Sequence, residues 1–116
     1  MFLPHHTRVY LAAGSTDMRK QINGLSIMVA DHLEMDPLTG HLFVFCNRRR
    51  NMIKVLYWDR NGFCLYVKRL EKHYFKWPER ISEVCEIDSR QLNWLLDGLE
   101  VHQAKAHGAL AYTTLY

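Results

Sequence analysis

The stretch His41–Leu70, HLFVFCNRRRNMIKVLYWDRNGFCLYVKRL, constrains the fold more than any other. Three runs rich in branched and aromatic residues, Leu42–Cys46, Met52–Trp58 and Phe63–Lys68, are separated by two turn signals. Such residues suit a pleated, half-buried surface. Asn47 and Asn51 bracket the first turn, and both tolerate the left-handed backbone that tight turns often need. The second turn holds Asn61-Gly62, the strongest short-range hairpin signal. The stretch is therefore expected to form a three-stranded antiparallel meander.

Apolar residues occupy both alternating sets of these strands: Leu42 and Val44 oppose Phe43 and Phe45, and Val55 and Tyr57 oppose Leu56 and Trp58. Both faces then need cover, one from a helix and the other from the C-terminal part or a second subunit. Lys54, Lys68 and Arg69 interrupt one set and are expected to mark where that face meets solvent.

The flanks supply the cover. Residues 7–13 read as a strand ended by Gly14. Thr16 is then expected to cap a helix with Asp17 in its first turn. Met18, Ile22, Leu25, Val29 and Leu33 follow as one apolar stripe at helical spacing. Gly24 within that stripe suggests a close approach to the sheet backbone. Asp36-Pro37-Leu38-Thr39-Gly40 breaks the helix. Downstream, residues 84–87 form a short strand candidate. Asp88 and Gln91 have capping-box spacing, ahead of a leucine face at Leu92, Leu95, Leu96 and Leu99 weakened by Gly98. The expected fold is α+β: a meander with an N-terminal strand and helix packed on it and a C-terminal helix. A chain of 116 residues is one domain, here 1–100, followed by a weakly patterned tail, 101–116, expected to be mobile.

Several function classes are disfavoured. The sequence has no Gly-rich phosphate loop, zinc-protease helix or nucleophile elbow. Asp31, Glu34 and Asp36 are close enough to suggest a magnesium site, but acids at a helix end are ordinarily solvated. Asp17, Asp59, His5 and His6 make no stronger case, and no enzymatic activity, metal or cofactor is expected. Cys46, Cys64 and Cys85 are an odd count without a C-x-x-C pair, as expected for reduced thiols filling strands. No apolar run is long enough to span a bilayer, and the first residues lack the pattern of a secretion signal. The expected location is the cytoplasm.

Charge is the clearest pointer to a partner. Residues 47–76 carry nine of the fifteen basic residues and two of the twelve acids, a local charge of +7 within a chain of +3. Arg48, Arg49 and Arg50 at a hairpin tip can reach phosphates, and Arg can also read guanine edges. Lys54, Lys68, Arg69, Lys72 and Lys76 extend the set; the later ones interleave with Tyr66, Tyr74, Phe75 and Trp77, as on a stacking surface. The ordinary alternative is a solvated turn beside core aromatics. Arg19 and Lys20, in a first helical turn where the helix dipole disfavours cations, suggest a second contact with a phosphate or an acidic partner, together with Asp17 and Trp77.

The ordered motifs YLAAGSTDMRK (Tyr10–Lys20), DPLTGHLFVF (Asp36–Phe45), NRRRNMIKVLYWDRNGFCLYVKRLE (Asn47–Glu71), FKWP (Phe75–Pro78) and QLNWLLDGLE (Gln91–Glu100) resemble one family. It is the TnpB accessory protein, the second reading frame of insertion-sequence-66 elements of bacteria. The resemblance covers residues 8–100. It implies a non-enzymatic accessory role in transposition beside a larger transposase, and it carries no catalytic residues. Two departures stand out: Gln21 follows Lys20 where members often have Gly, and Arg50-Asn51 replaces a Gly-acid pair at the first tip. The leading expectation is a factor that binds DNA, at the element's ends. The alternative is an adaptor that docks the transposase or a second copy of itself through the Asp17–Arg19 motif, aromatics such as Trp58 and Trp77, and the last helix.

Overall fold

The computed structural model describes residues 7–78 and 84–101. Seven elements follow in order: β1 (Val9–Ala12), α1 (Ile22–Asp31), β2 (Leu42–Cys46), β3 (Met52–Asp59), β4 (Gly62–Arg69), β5 (Val84–Ile87) and α2 (Ser89–Leu96). The strands make one sheet in the order β4-β3-β2-β1-β5. The expected meander is its largest part: β2 pairs antiparallel with β3, and β3 with β4 through Asp59 opposite Gly62. β1 joins β2 in parallel, Val9 opposite Leu42, so α1 is the crossover of a β-α-β unit. β5 closes the far edge antiparallel to β1.

Both faces are covered within the chain. On one, Leu25 and Val29 of α1 pack over Tyr10, Ala12, Phe43, Phe45 and Leu56. The Tyr10 and Phe43 rings stack with centroids 5.7 Å apart. On the other, Leu92, Leu95 and Leu96 of α2, with Phe75 and Trp77, cover Val9, Leu11, Leu42, Val44, Ile53 and Val55.

The helix ends show which local signals prevail. At α2 the Asp88 carboxylate accepts from Gln91 N (2.8 Å), and Gln91 Oε1 accepts from Asp88 N (3.0 Å), a complete capping box. Gly98, at φ +84, terminates the helix: its N–H reaches Leu95 O and the Leu99 N–H reaches Trp94 O, a Schellman arrangement that Gly favours.

α1 departs from expectation. It starts at Ile22 with Gln21 as an uncapped N-terminal residue, six positions after Thr16. Thr16 N donates to Cys46 O at 2.8 Å, and the Asp17 carboxylate takes the Arg19 N–H at 2.9 Å. A short polar side chain that captures a nearby N–H competes with the helix for it, so residues 15–20 form a turn. The apolar stripe survives: Met18, Ile22 and Leu33 still pack on the α1 side. Gly24 does not approach the sheet; a Cβ there would meet the Lys20 side chain at 3.3 Å.

Val101, the first residue of the expected tail, is buried in the α2-side core, and its carbonyl accepts from Gln91 Nε2 at 2.9 Å. The rest of the expected mobile tail, 102–116, lies outside the described residues.

Candidate functional site

Strand direction brings the basic segments together. β1, β2 and β4 run parallel to one another, because β3 is antiparallel to both its neighbours. Their C-terminal ends therefore lie at one end of the sheet, and there the chain places the turn 15–20, the tip 47–51 and the segment 70–76. Arg19, Lys20, Arg48, Arg49, Arg50, Lys72 and Lys76 lie on these segments, with Arg69 just before the last; the segments' own acids are Asp17 and Glu71. Arg60, in the β3–β4 turn, lies at the opposite end.

Asn47 builds the tip. Its Oδ1 accepts from Asn51 N (3.0 Å) and Met52 N (3.1 Å), and its Nδ2 donates to Asn51 Oδ1 (2.7 Å). Arg50 takes a left-handed φ of +61, a conformation that favours Gly. It is held there by its own contacts. Nη1 donates to Gly14 O (3.1 Å) and Asn47 O (3.3 Å), and its carbonyl accepts from Phe75 N at 2.7 Å. Leu70 N donates to Asn51 O at 2.8 Å. The tip is thus tied to the turn on one side and to the 70–75 segment on the other. Arg48 and Arg49 are left exposed and without a partner among the described residues.

Two of the expected contact residues are structural instead. Lys54 is only 4 % exposed; its Nζ donates to Met18 O (2.9 Å) and Lys20 O (2.8 Å). It lies between Phe45 and Val67 in the sheet, on the face under α1. Lys68 lies on the other face and donates to Leu96 O at 2.7 Å, a cation at the C-terminus of α2 where the helix dipole is favourable. Lys54 is thus buried beneath α1, and Lys68 is half-buried with its ammonium engaged by a main-chain carbonyl. Trp77 is likewise not an exposed platform: it is 6 % exposed and part of the α2-side core. Trp58 is half-buried, edge-on to Phe63 with ring centroids 5.1 Å apart.

The remaining residues separate into paired and free. Arg69 pairs with Glu71 at 3.2 Å. Arg19 grips both oxygens of Asp17, the closest contact being Nη2 to Oδ2 at 2.6 Å. The hydrogen bonds from Arg19 hold the Asp17 carboxyl at about 2, well below its usual value. A carboxylate depressed in the folded state stabilises above its unfolded pKa and loses that contribution as pH falls through the folded value. The turn is therefore expected to keep its ion pair from neutral pH down to about pH 2, and a carboxyl NMR titration of Asp17 checks this. Arg48, Arg49, Lys72 and Lys76 are exposed and have no partner among the described residues, whereas the exposed Lys20 interacts electrostatically with Asp17.

No group of three potential metal ligands occurs among the described residues, and no described helix is long and apolar enough to cross a membrane. Burial pushes the Cys46 thiol up, against the lowering influence of the nearby Arg50, which leaves it a poor nucleophile.

The profile of the IS66 Orf2-like proteins matches residues 7–106. The chain belongs to this family. The chain is also similar to two uncharacterized proteins of Sinorhizobium fredii (strain NBRC 101917 / NGR234). y4hO is 39 % identical over 95 residues, covering 82 % of this chain and 83 % of that protein. y4jC is 31 % identical over 98 residues, 84 % of each. No solved structure matches the chain significantly. Membership in the IS66 Orf2-like family links the protein to transposition of insertion sequences in an accessory capacity, and the family is not a known catalytic one.

Proposed function

We propose that the protein is a non-enzymatic accessory factor that binds DNA, at the ends of its insertion sequence, through the cationic end of the sheet. One observation carries this reading: Arg48, Arg49, Lys72 and Lys76, exposed and without an acidic partner among the described residues, converge with Lys20, which lies beside Asp17, from three separate segments at one end of the sheet. Unpaired cations on a braced surface fit a polyanion, whose counterions they displace. Arg50 and Arg69 border the surface, the first held by backbone carbonyls and the second by Glu71.

The purified protein is expected to bind duplex DNA with log affinity falling linearly with log salt, by about 0.9 for each phosphate neutralised, hence about 4 to 5 if all five exposed cations engage. Comparing the element's terminal repeats with random duplex then reports sequence preference. Absence of binding at low salt would overturn the reading for the lone protein.

An adaptor function is the second reading, favoured by β4. It is an eight-residue strand at the sheet edge with Val67 exposed and Phe63 and Leu65 half-exposed. An open edge of that length suits strand addition by the transposase or another copy.

A further inference from the structure

The turn 15–20 and the tip 47–50 do more than lie side by side: they enclose a groove lined by Ser15, Thr16, Asp17, Met18, Asn47, Arg48 and Arg49. The Thr16 N–H bonds to Cys46 O, immediately before the tip. Thr16 is 5 % exposed, and its Oγ1 is buried without a hydrogen-bond partner among the described residues. A buried hydroxyl normally finds a partner, and an orphan is a standing cost. The surroundings are rigid, since Lys54 fixes the turn from below and Arg50 Nη1 ties the tip to Gly14. The acid in the groove, Asp17, is occupied by Arg19. Arg48 and Arg49 are unengaged.

The geometry points to this groove as the seat of a single DNA backbone phosphate, with the Thr16 hydroxyl as inner donor, the Arg48 and Arg49 guanidiniums as outer clamp, and Lys54 as the positioning residue beneath. The inference deepens the DNA-binding reading and rests on it. An anion suits the groove because its unsatisfied groups are donors: one neutral O–H and two guanidiniums, which bind phosphate oxygens bidentately. Without bound phosphate the hydroxyl destabilises the fold; with it, that hydroxyl gains its missing acceptor. Stability and affinity should therefore move in opposite directions when the hydroxyl is removed.

The test uses the full chain as wild type, Thr16→Val, Thr16→Ser and Arg48→Ala/Arg49→Ala. Each is melted alone and titrated with random duplex across a salt series, and with inorganic phosphate at fixed ionic strength. Thr16→Val keeps the side-chain shape and is expected to melt at or above wild type, yet to bind duplex about tenfold more weakly. Its salt slope should be unchanged, because a neutral hydroxyl displaces no counterion. Thr16→Ser should retain wild-type affinity. Arg48→Ala/Arg49→Ala should lower the slope by about 2. Saturable inorganic phosphate binding, weakened by Thr16→Val, would assign the seat to any phosphate; loss with duplex alone assigns it to the backbone phosphate. Wild-type duplex affinity in Thr16→Val overturns the seat while a steep wild-type slope leaves the DNA reading standing. A wild type that binds neither duplex nor phosphate overturns both.

Discussion

Lys54→Ala is expected to lower stability by about 3 kcal/mol, the largest effect of any substitution at a basic residue of this chain. The ammonium donates to two carbonyls, those of Met18 and Lys20, and a hydrogen bond to a charged group contributes roughly 1.5–3 kcal/mol. Truncation also empties the space filled by the aliphatic stem beneath α1. Relief from burying an unpaired charge offsets part of this loss, which keeps the total below the simple sum. At about 4–8 °C per kcal/mol for a domain of this size, the melting temperature should fall by more than 10 °C. Lys54→Met separates the two contributions: it keeps the volume and removes only the donor, and should cost about 2 kcal/mol. Amide exchange should quicken first in residues 15–22, whose carbonyls Lys54 holds. A Lys54→Met protein that melts with wild type and keeps its exchange pattern would show that the turn is fixed by something other than this ammonium.

That residue also marks where sequence reading reaches its end. The meander was legible because its signals are local: Asn61-Gly62 sets one hairpin, and the Asn47 and Asn51 side chains shape the other tip, as the bonds among Asn47, Asn51 and Met52 bear out. The capping box at Asp88 and Gln91 is likewise a short-range device and forms as written. Long-range matters were not legible. Nothing near Val9 announces a parallel pairing with Leu42 across a helical crossover. The start of α1 was misplaced because Thr16 and Asp17 carry cap chemistry, while the groups that engage them, Cys46 O at the end of β2 and the Arg19 N–H, hold residues 15–20 in a turn. A signal for Lys54 did exist: it shares strand parity with Leu56 and Trp58, so a lysine there was either exposed or sealed under the crossover helix. Which one depends on where α1 lies. Lys68 and Trp77 were misjudged for the same reason, since α2 and the 75–77 segment cover a face whose cover could be anticipated but not located. Charge along the chain was legible; its sorting into buried, paired and free cations required the fold.

That sorting makes the second large effect specific. Arg48→Glu/Arg49→Glu is expected to reduce DNA affinity by about a hundredfold near 0.1 M salt. Each phosphate contact contributes about 0.9 to the slope of log affinity against log salt, so losing two lowers affinity at 0.1 M about sixtyfold relative to 1 M, and the new carboxylates add repulsion. Stability should change by less than about 0.5 kcal/mol for each substitution, because both side chains are exposed and unpartnered. The decisive control is Arg8→Glu/Arg60→Glu, which makes the same change in net charge at the opposite end of the sheet, where Arg8 has only a loose 3.9 Å pair with Glu86. If the fold's cationic end is the site, this control loses little affinity and its salt slope stays near wild type. Equal losses in the two double variants would instead mean that DNA responds to the net charge of the molecule. The convergence of the turn, the tip and the 70–76 segment would then be a consequence of strand direction with no part in binding.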